Sequence, residues 1–136
     1  MGLPNCAYLS LRGFMQTVRV INTTRETVLA ERAGFANSIA SRALGLMGQA
    51  TLPAGSGLVI DPCTSIHMFF MRFAIDALYV SQDGAVLRVV PHLRPWRLGP
   101  IILRARYVVE LPAGTAARTG TQPGDVLRVE LVASQP

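Results

Sequence analysis

A mainly β fold, a single-domain sandwich or barrel with one packed α-helix, is what this sequence predicts, and three observations predict it. Short apolar runs with period-two alternation recur along the chain, as at 16–23, 27–33, 75–80 and 126–132. Turn chemistry punctuates them at Asp61-Pro62, Gln82-Asp83-Gly84, Pro112-Ala113-Gly114 and Gly124-Asp125. One window alone, 38–47, carries a sustained helical apolar spacing. A chain of 136 residues that is 50% hydrophobic and 15% charged is long enough to bury about two thirds of its unfolded surface.

Met15 directly precedes the first clean strand pattern, so residues 1–14 are expected to be a disordered extension and 15–136 the β-rich domain. Over 16–23, Val18 and Val20 share one parity, continued by the polar Asn22. The polar turn 23–26 leads into a second strand over 27–33, which makes a hairpin. Asn37 or Ser38 then caps a helix in which Ile39, Ala43, Leu46 and Met47 share a face and Gly48 ends the run. Arg42 lies near that face and is long enough to carry its guanidinium out to solvent.

A Pro/Gly loop over 52–57 precedes a brief strand, 57–60, stopped by Asp61-Pro62. Gly55 and Gly57 form a GxG without a third glycine or the strand-before, helix-after context, which argues against a dinucleotide site. The stretch CTSIHMFFMRFAIDALYV, residues 63–80, has the highest apolar density, yet it holds His67, Arg72 and Asp76. Period two puts His67, Phe69, Met71 and Phe73 on one face and Ile66, Met68, Phe70 and Arg72 on the other, so a central strand is expected over 66–73 and another over 75–80. Gln82-Asp83-Gly84 turns the latter into a strand over 85–90. Pro91, Pro95 and Pro100 then predict a long loop over 91–102. A strand over 107–111, a helical turn over 115–118 and a last strand over 126–132 complete the chain.

The net charge is +5, and all thirteen basic residues are arginine. No acidic residue occurs from Ala85 to Val109, where Trp96 sits between Arg94 and Arg97. Such interleaving suits base stacking with phosphate contact, but a solvated rim with Trp96 fastened over the barrel end explains it as well, and the sequence argues against nucleic acid as the partner. Cys6 and Cys63 form no CxxC pair, and His67, His92, Asp76 and Glu110 lack metal-ligand spacing, so neither a disulfide framework nor a metal or other cofactor is expected. No apolar run approaches the roughly 18 residues of a spanning helix, and the first residues make no convincing signal peptide. The cytoplasm is therefore the expected compartment; the oligomeric state is not legible.

His67, Asp76 and Glu110 are the acid–base candidates, because imidazole and carboxyl groups exchange protons near neutral pH when held within hydrogen-bond reach. The competing reading is structural, with Asp76 accepting hydrogen bonds from the backbone or from Arg72. Cys63 with His67 suggests a thiol–imidazole pair, but four residues of extended strand would separate them by about 13 Å.

Arg42 with Gly45-Leu46-Met47, Gly57-Leu58, Phe69-Phe70-Met71-Arg72, Ile75-Asp76, Asp83-Gly84, residues 109–114 (VELPAG) and Gly124-Asp125 follow one another in an order that resembles the prokaryotic domain-of-unknown-function family 192. The resemblance spans roughly residues 17–131. Where many relatives carry an aromatic-Trp-Met-Lys-Asn-Thr run followed by Pro-Leu-Asp, this chain has Phe70, Arg72, a shortened link and Ala74, while Asp76 and a basic residue at 72 are kept. The resemblance implies a compact, mainly β domain with a sandwich or jelly-roll-like fold and a helix packed at its side, and no reaction; many relatives look exported.

The expected function is the binding of a small polar or anionic ligand near Arg72, Asp76, His67, Trp96 and Arg42 in a pocket with a few convergent polar groups. The alternatives are a hydrolase-like enzyme using His67 with Asp76 or Glu110, and a protein-interaction module using the basic Pro-rich loop.

Overall fold

The computed structural model describes residues 16–38, 41–42 and 46–132. Seven strands form one sheet: β1 (Gln16–Asn22), β2 (Thr27–Ala36), β3 (Ser56–Ile60), β4 (Ile75–Val80), β5 (Val86–Leu93), β6 (Tyr107–Pro112) and β7 (Leu127–Leu131). The order across the sheet is β5-β4-β6-β3-β2-β1-β7. Every pairing is antiparallel except β2 with β3, whose parallel register follows from the crossover between them. A short helix, α1 (Thr115–Thr119), follows β6.

The sheet curls until its two edges meet at one end, giving a half-barrel. Val86 N–H donates to the Asp125 carbonyl at 2.8 Å, Gly124 N–H to Val86 at 2.9 Å and Leu127 N–H to Gly84 at 2.8 Å. Curling removes exposed edge length that would otherwise invite strand addition. Asn22, the polar residue that continues the Val18–Val20 parity, is fully buried and fastens this closure. Its amide donates to Thr121 Oγ1 at 3.1 Å and to Asp125 Oδ2 at 3.0 Å, while Arg25 pairs with the same carboxylate at 3.1 Å.

Two cores result from the alternation along the strands. The inner one draws on all seven, including Val18, Val20, Leu29, Val59, Leu78, Val80, Val86, Tyr107, Val109, Leu111 and Leu127. The outer one lies on the opposite face of β3, β4 and β6, through Leu58, Ile60, Ile75, Ala77, Tyr79 and Val108. Two loops cover it, contributing Ile66, Met68, Met71 and Ala105, together with Leu46. Because both faces of β4 are covered, its six residues are all buried.

Two expectations are corrected here. Residues 66–73 are not a strand: only His67 forms a bridge, with Leu98, and the segment then turns at Phe69 and Phe70, with Phe70 at φ 64°. Its apolar density belongs to a cover lying on the sheet, which buries Ile66, Met68 and Met71 and leaves Phe69 and Phe70 exposed. The loop expected over 91–102 begins later, since β5 runs on through Pro91 to Leu93. Pro91 fits because β5 is an edge of the strand order and its pairing with β4 shifts register between Ile75 and Ala77.

The cap expected at Asn37 or Ser38 falls on Ser38, whose Oγ accepts the Ser41 N–H at 3.0 Å while its carbonyl accepts the Arg42 N–H at 2.9 Å. The remainder of that helix face includes residues 39–40 and 43–45, which lie outside the described residues, as does the extension expected over 1–14.

Candidate functional site

Glu110 occupies the middle of β6, directly opposite Leu58 on β3 and Ala77 on β4. Opposed residues of paired strands share a face, so its carboxyl group is flanked by two apolar side chains on the outer side of the sheet. The residue is only 4% exposed, and Oε2 is buried without a hydrogen-bond partner among the described residues. Burial pushes its pKa up to about 8, because a desolvated carboxylate is disfavoured against the neutral acid. At neutral pH Glu110 is therefore mainly a protonated acid with an O–H to donate.

Above it opens a cleft of about 480 Å³, walled by Arg42, Cys63, His67, Ile66 and Met71 with Glu110 in its lining. Arg42 is held at the cleft by its own hydrogen bonds, Nη1 to the Pro62 carbonyl at 3.0 Å and Nε to Ser38 at 3.4 Å. The Cys63 thiol donates to the Ser65 carbonyl at 3.0 Å. Burial raises its pKa, an effect reinforced by the Glu110 charge and only partly offset by hydrogen bonding from the Ser65 backbone to the sulfur and by Arg42. A thiol held in its protonated form is a poor nucleophile. His67 is exposed at the cleft wall, and its Nδ1 accepts the Phe69 N–H at 3.2 Å. Because 63–67 is not an extended strand, Cys63 and His67 border one cleft despite their spacing in sequence.

Asp76 lies elsewhere. In the register of β4 with β6 it faces Leu111, a member of the inner core, whereas its neighbour Ala77 faces Glu110 on the outer side. The two carboxyl groups thus point to opposite faces of one sheet. Asp76 Oδ1 accepts the His92 N–H at 2.9 Å, and Oδ2 accepts those of Gly114 at 3.1 Å and Ala116 at 2.8 Å. That arrangement ties β4 to β5 and to the start of α1, and it occupies the group with backbone donors.

Arg72 and Trp96 are exposed and do not line the cleft. Trp96 stacks obliquely on Phe70 at 4.9 Å between ring centroids and on Phe69 at 6.1 Å. Of the residues named from sequence, the fold therefore gathers Arg42, His67 and Glu110 at one cleft and leaves Asp76, Arg72 and Trp96 outside it. Sequence reasoning passed over Thr64 and Ser65, which also line the cleft; the polar run after Cys63 is the signal that marks them. Gly57, half of the GxG, has a packing explanation, since a Cβ there would lie 2.7 Å from the Glu110 carbonyl oxygen.

Among the described residues no group of three His, Cys, Asp or Glu side chains is placed to hold a metal ion. The cleft offers one guanidinium, one buried acid, one thiol and one imidazole around apolar walls. Such a set can bind an oxygen-rich anion or transfer a proton.

Known proteins share this architecture. Residues 20–129 match the model of the DUF192 family, described as Uncharacterized ACR. A UPF0127 protein of Pyrococcus horikoshii is 31% identical over 114 residues, covering 80% of this chain and 96% of the relative. A UPF0127 protein of Pyrococcus furiosus is 29% identical over 113 residues, covering 79% and 95%. Among solved structures, a protein of unknown function from Novosphingobium aromaticivorans gives a TM-score of 0.72 at 26% identity, over 82% of this chain and 83% of that one. A Sinorhizobium meliloti protein, named as a candidate transcription regulator, gives 0.68 at 24% identity over 84% and 92%, a likeness that speaks to fold alone. With the family match running from within β1 into β7, and so through the whole curled sheet, the chain belongs to the DUF192/UPF0127 family of uncharacterised prokaryotic proteins.

Proposed function

We propose that the cleft binds a small organic anion, with Arg42 taking the negative group and protonated Glu110 donating a hydrogen bond to a ligand oxygen. One observation carries this reading: Glu110 Oε2 is buried at the cleft without a hydrogen-bond partner among the described residues. Leaving a buried polar atom unpaired costs about 1–3 kcal/mol, and a fold that keeps such a group beside an open cleft keeps it for something that enters. The charge balance agrees, because a neutral Glu110 leaves the Arg42 cation uncompensated at the cleft.

The test is a calorimetric titration of the full chain with short mono- and dicarboxylates and with phosphate esters at neutral pH. Binding that weakens at least tenfold in Arg42→Ala and in Glu110→Ala, but survives in Glu110→Gln, fits the reading. Saturable binding untouched by all three variants places the ligand elsewhere and removes the proposal.

A second reading rests on a separate observation, that His67 and Glu110 border the same cleft. Used together they form an acid–base pair for hydrolysis, Glu110 as acid and His67 as base. Asp76 has no part in it, being on the other face. Under this reading Glu110→Gln retains ligand binding and abolishes turnover of an ester or amide substrate, and a variant with full turnover excludes it.

A further inference from the structure

The segments 64–70 and 96–102 run antiparallel as a ribbon across the outer face of the sheet. Met68 N–H donates to the Arg97 carbonyl at 2.8 Å, Gly99 to Ile66 at 2.9 Å, Ile102 to Thr64 at 2.9 Å and Trp96 to Met68 at 2.7 Å. His67 and Leu98 are bridge partners, so they share a ribbon face, and period two adds Phe69 and Trp96 to it. Ring contacts from His67 to Phe69 at 5.2 Å and from Phe69 to Trp96 at 6.1 Å agree. The other face seats Ile66 and Met68 in the outer core.

That outward face is apolar to a degree the rest of the surface is not. Among the described residues nine large hydrophobic side chains are exposed, and six of them, Phe69, Phe70, Trp96, Leu98, Ile101 and Leu103, belong to this ribbon and its continuation, with Leu103 at 82%. Exposed apolar side chains that cluster mark an interaction surface, and Phe69, Phe70, Trp96 and Leu98 are joined by their ring contacts and the His67–Leu98 bridge. The charges around them are mainly basic, with Asp83 near Arg104 and Asp61 paired to Arg106 as acidic neighbours. Arg72, Arg94, Arg97 and Arg104 are exposed, and no acidic residue occurs between Asp61 and Asp76 or from Ala85 to Val109.

We propose that this ribbon docks the protein on an anionic lipid bilayer, with Phe70, Trp96, Leu98 and Leu103 entering the headgroup region and the arginines meeting lipid phosphates. The chemistry favours lipid: Trp settles at the membrane interface, aliphatic side chains at a loop tip gain by leaving water, and each basic residue near an anionic surface adds about 1 kcal/mol. The arginine-rich rim is complementary to such a surface. The docking needs no cleft ligand, although the ribbon also supplies Ile66 and His67 to the cleft wall.

Trp96 is the sole tryptophan, so its emission reports the contact directly. Full-length protein is mixed with vesicles of phosphatidylcholine alone and of phosphatidylcholine with phosphatidylglycerol, and binding is read by sedimentation and by Trp96 emission. The expected result is a blue shift and sedimentation with the anionic vesicles only, weakened by high salt. Leu98→Ser with Leu103→Ser lowers the partition at least tenfold, and Arg94→Gln with Arg97→Gln lowers it about fivefold per arginine. All four side chains are exposed, so circular dichroism should show both variants folded. Absence of binding to anionic vesicles overturns the proposal. So does binding indifferent to the Ser variant, or a Trp96 signal that responds instead to protein concentration without lipid, which assigns the ribbon to a second copy of the chain.

Discussion

Replacing Glu110 with Gln isolates the energetics of the cleft. In the unfolded chain the carboxyl group titrates near 4.5, whereas in the fold burial pushes it up to about 8. Between those values the native state holds a proton that the unfolded state has released. Stability from this group is thus present in full below about pH 4.5 and is lost as pH rises towards 8. The slope is about 1.4 kcal/mol per pH unit, and the whole window is worth at most about 5 kcal/mol, a large part of the roughly 5–15 kcal/mol by which domains are stable. Gln mimics the protonated acid and does not titrate. Its amide shifts stability by a constant, so the difference in slope between the two proteins belongs to Glu110 alone. The assay is urea unfolding followed by circular dichroism from about pH 5 to 9, wild type against Glu110→Gln. A wild-type curve that falls relative to the variant through the window, then runs parallel above it, is expected. Parallel curves throughout would refute the claim that Glu110 is buried as an acid, and with it the hydrogen-bond donor of the proposed site.

Asp76→Ala removes the acceptor of three backbone N–H groups and is expected to cost about 3–5 kcal/mol in chemical unfolding, with anion binding in the cleft unchanged. Trp96→Ala is expected to cost no more than about 1 kcal/mol, the scale of its aromatic pairs, because the side chain is exposed; a loss of several kcal/mol would show it packed into a core. Gly99→Ala introduces a Cβ 2.6 Å from the Tyr79 hydroxyl, which itself donates to the Pro100 carbonyl at 2.8 Å. It should lower the melting temperature and speed amide exchange in 66–70 and 97–102 more than elsewhere. On the acid side, burial opposes ionisation of Asp125, but hydrogen bonds from Asn22, Arg25 and Gln122 outweigh it and hold its pKa below the ordinary value. Its contribution is therefore present above about pH 4 and lost as pH falls further, so Asp125→Asn should flatten acid unfolding in that range.

Most of the fold was legible because its strands obey local rules. The hairpins 16–36 and 75–93, the strand after Tyr107 and the closing strand are each marked by alternation and a turn residue that local chemistry demands. The stretch 66–73 misled because apolar density says that side chains are buried, not that the backbone is paired. A cover segment with Ile66, Met68 and Met71 pointing inward carries the same composition as a central strand until its turn at Phe69 and Phe70. Pro91 misled in the opposite direction, since its tolerance depends on β5 being an edge strand, and strand order is a global property. At the site, His67, Asp76 and Glu110 were visible as polar residues among apolar ones, but their grouping required the register of β4 against β6.

That register also gives the strongest reason to separate architecture from function among the buried acids. Asp76 and Glu110 are both nearly inaccessible, both in central strands and one residue apart across the ladder. Their environments differ in kind. Asp76 meets three amide donors from β5 and the turn into α1, so both its oxygens are matched by the fold and ask for nothing more. Glu110 meets Leu58 and Ala77, and its Oε2 has no hydrogen-bond partner among the described residues. Selection for stability alone would replace such a group with an apolar residue, because a buried acid without partners is worth less than a hydrocarbon of similar volume. Kept neutral by its surroundings and sharing an open cleft with Arg42, Glu110 is instead the acid on which the proposed anion site rests.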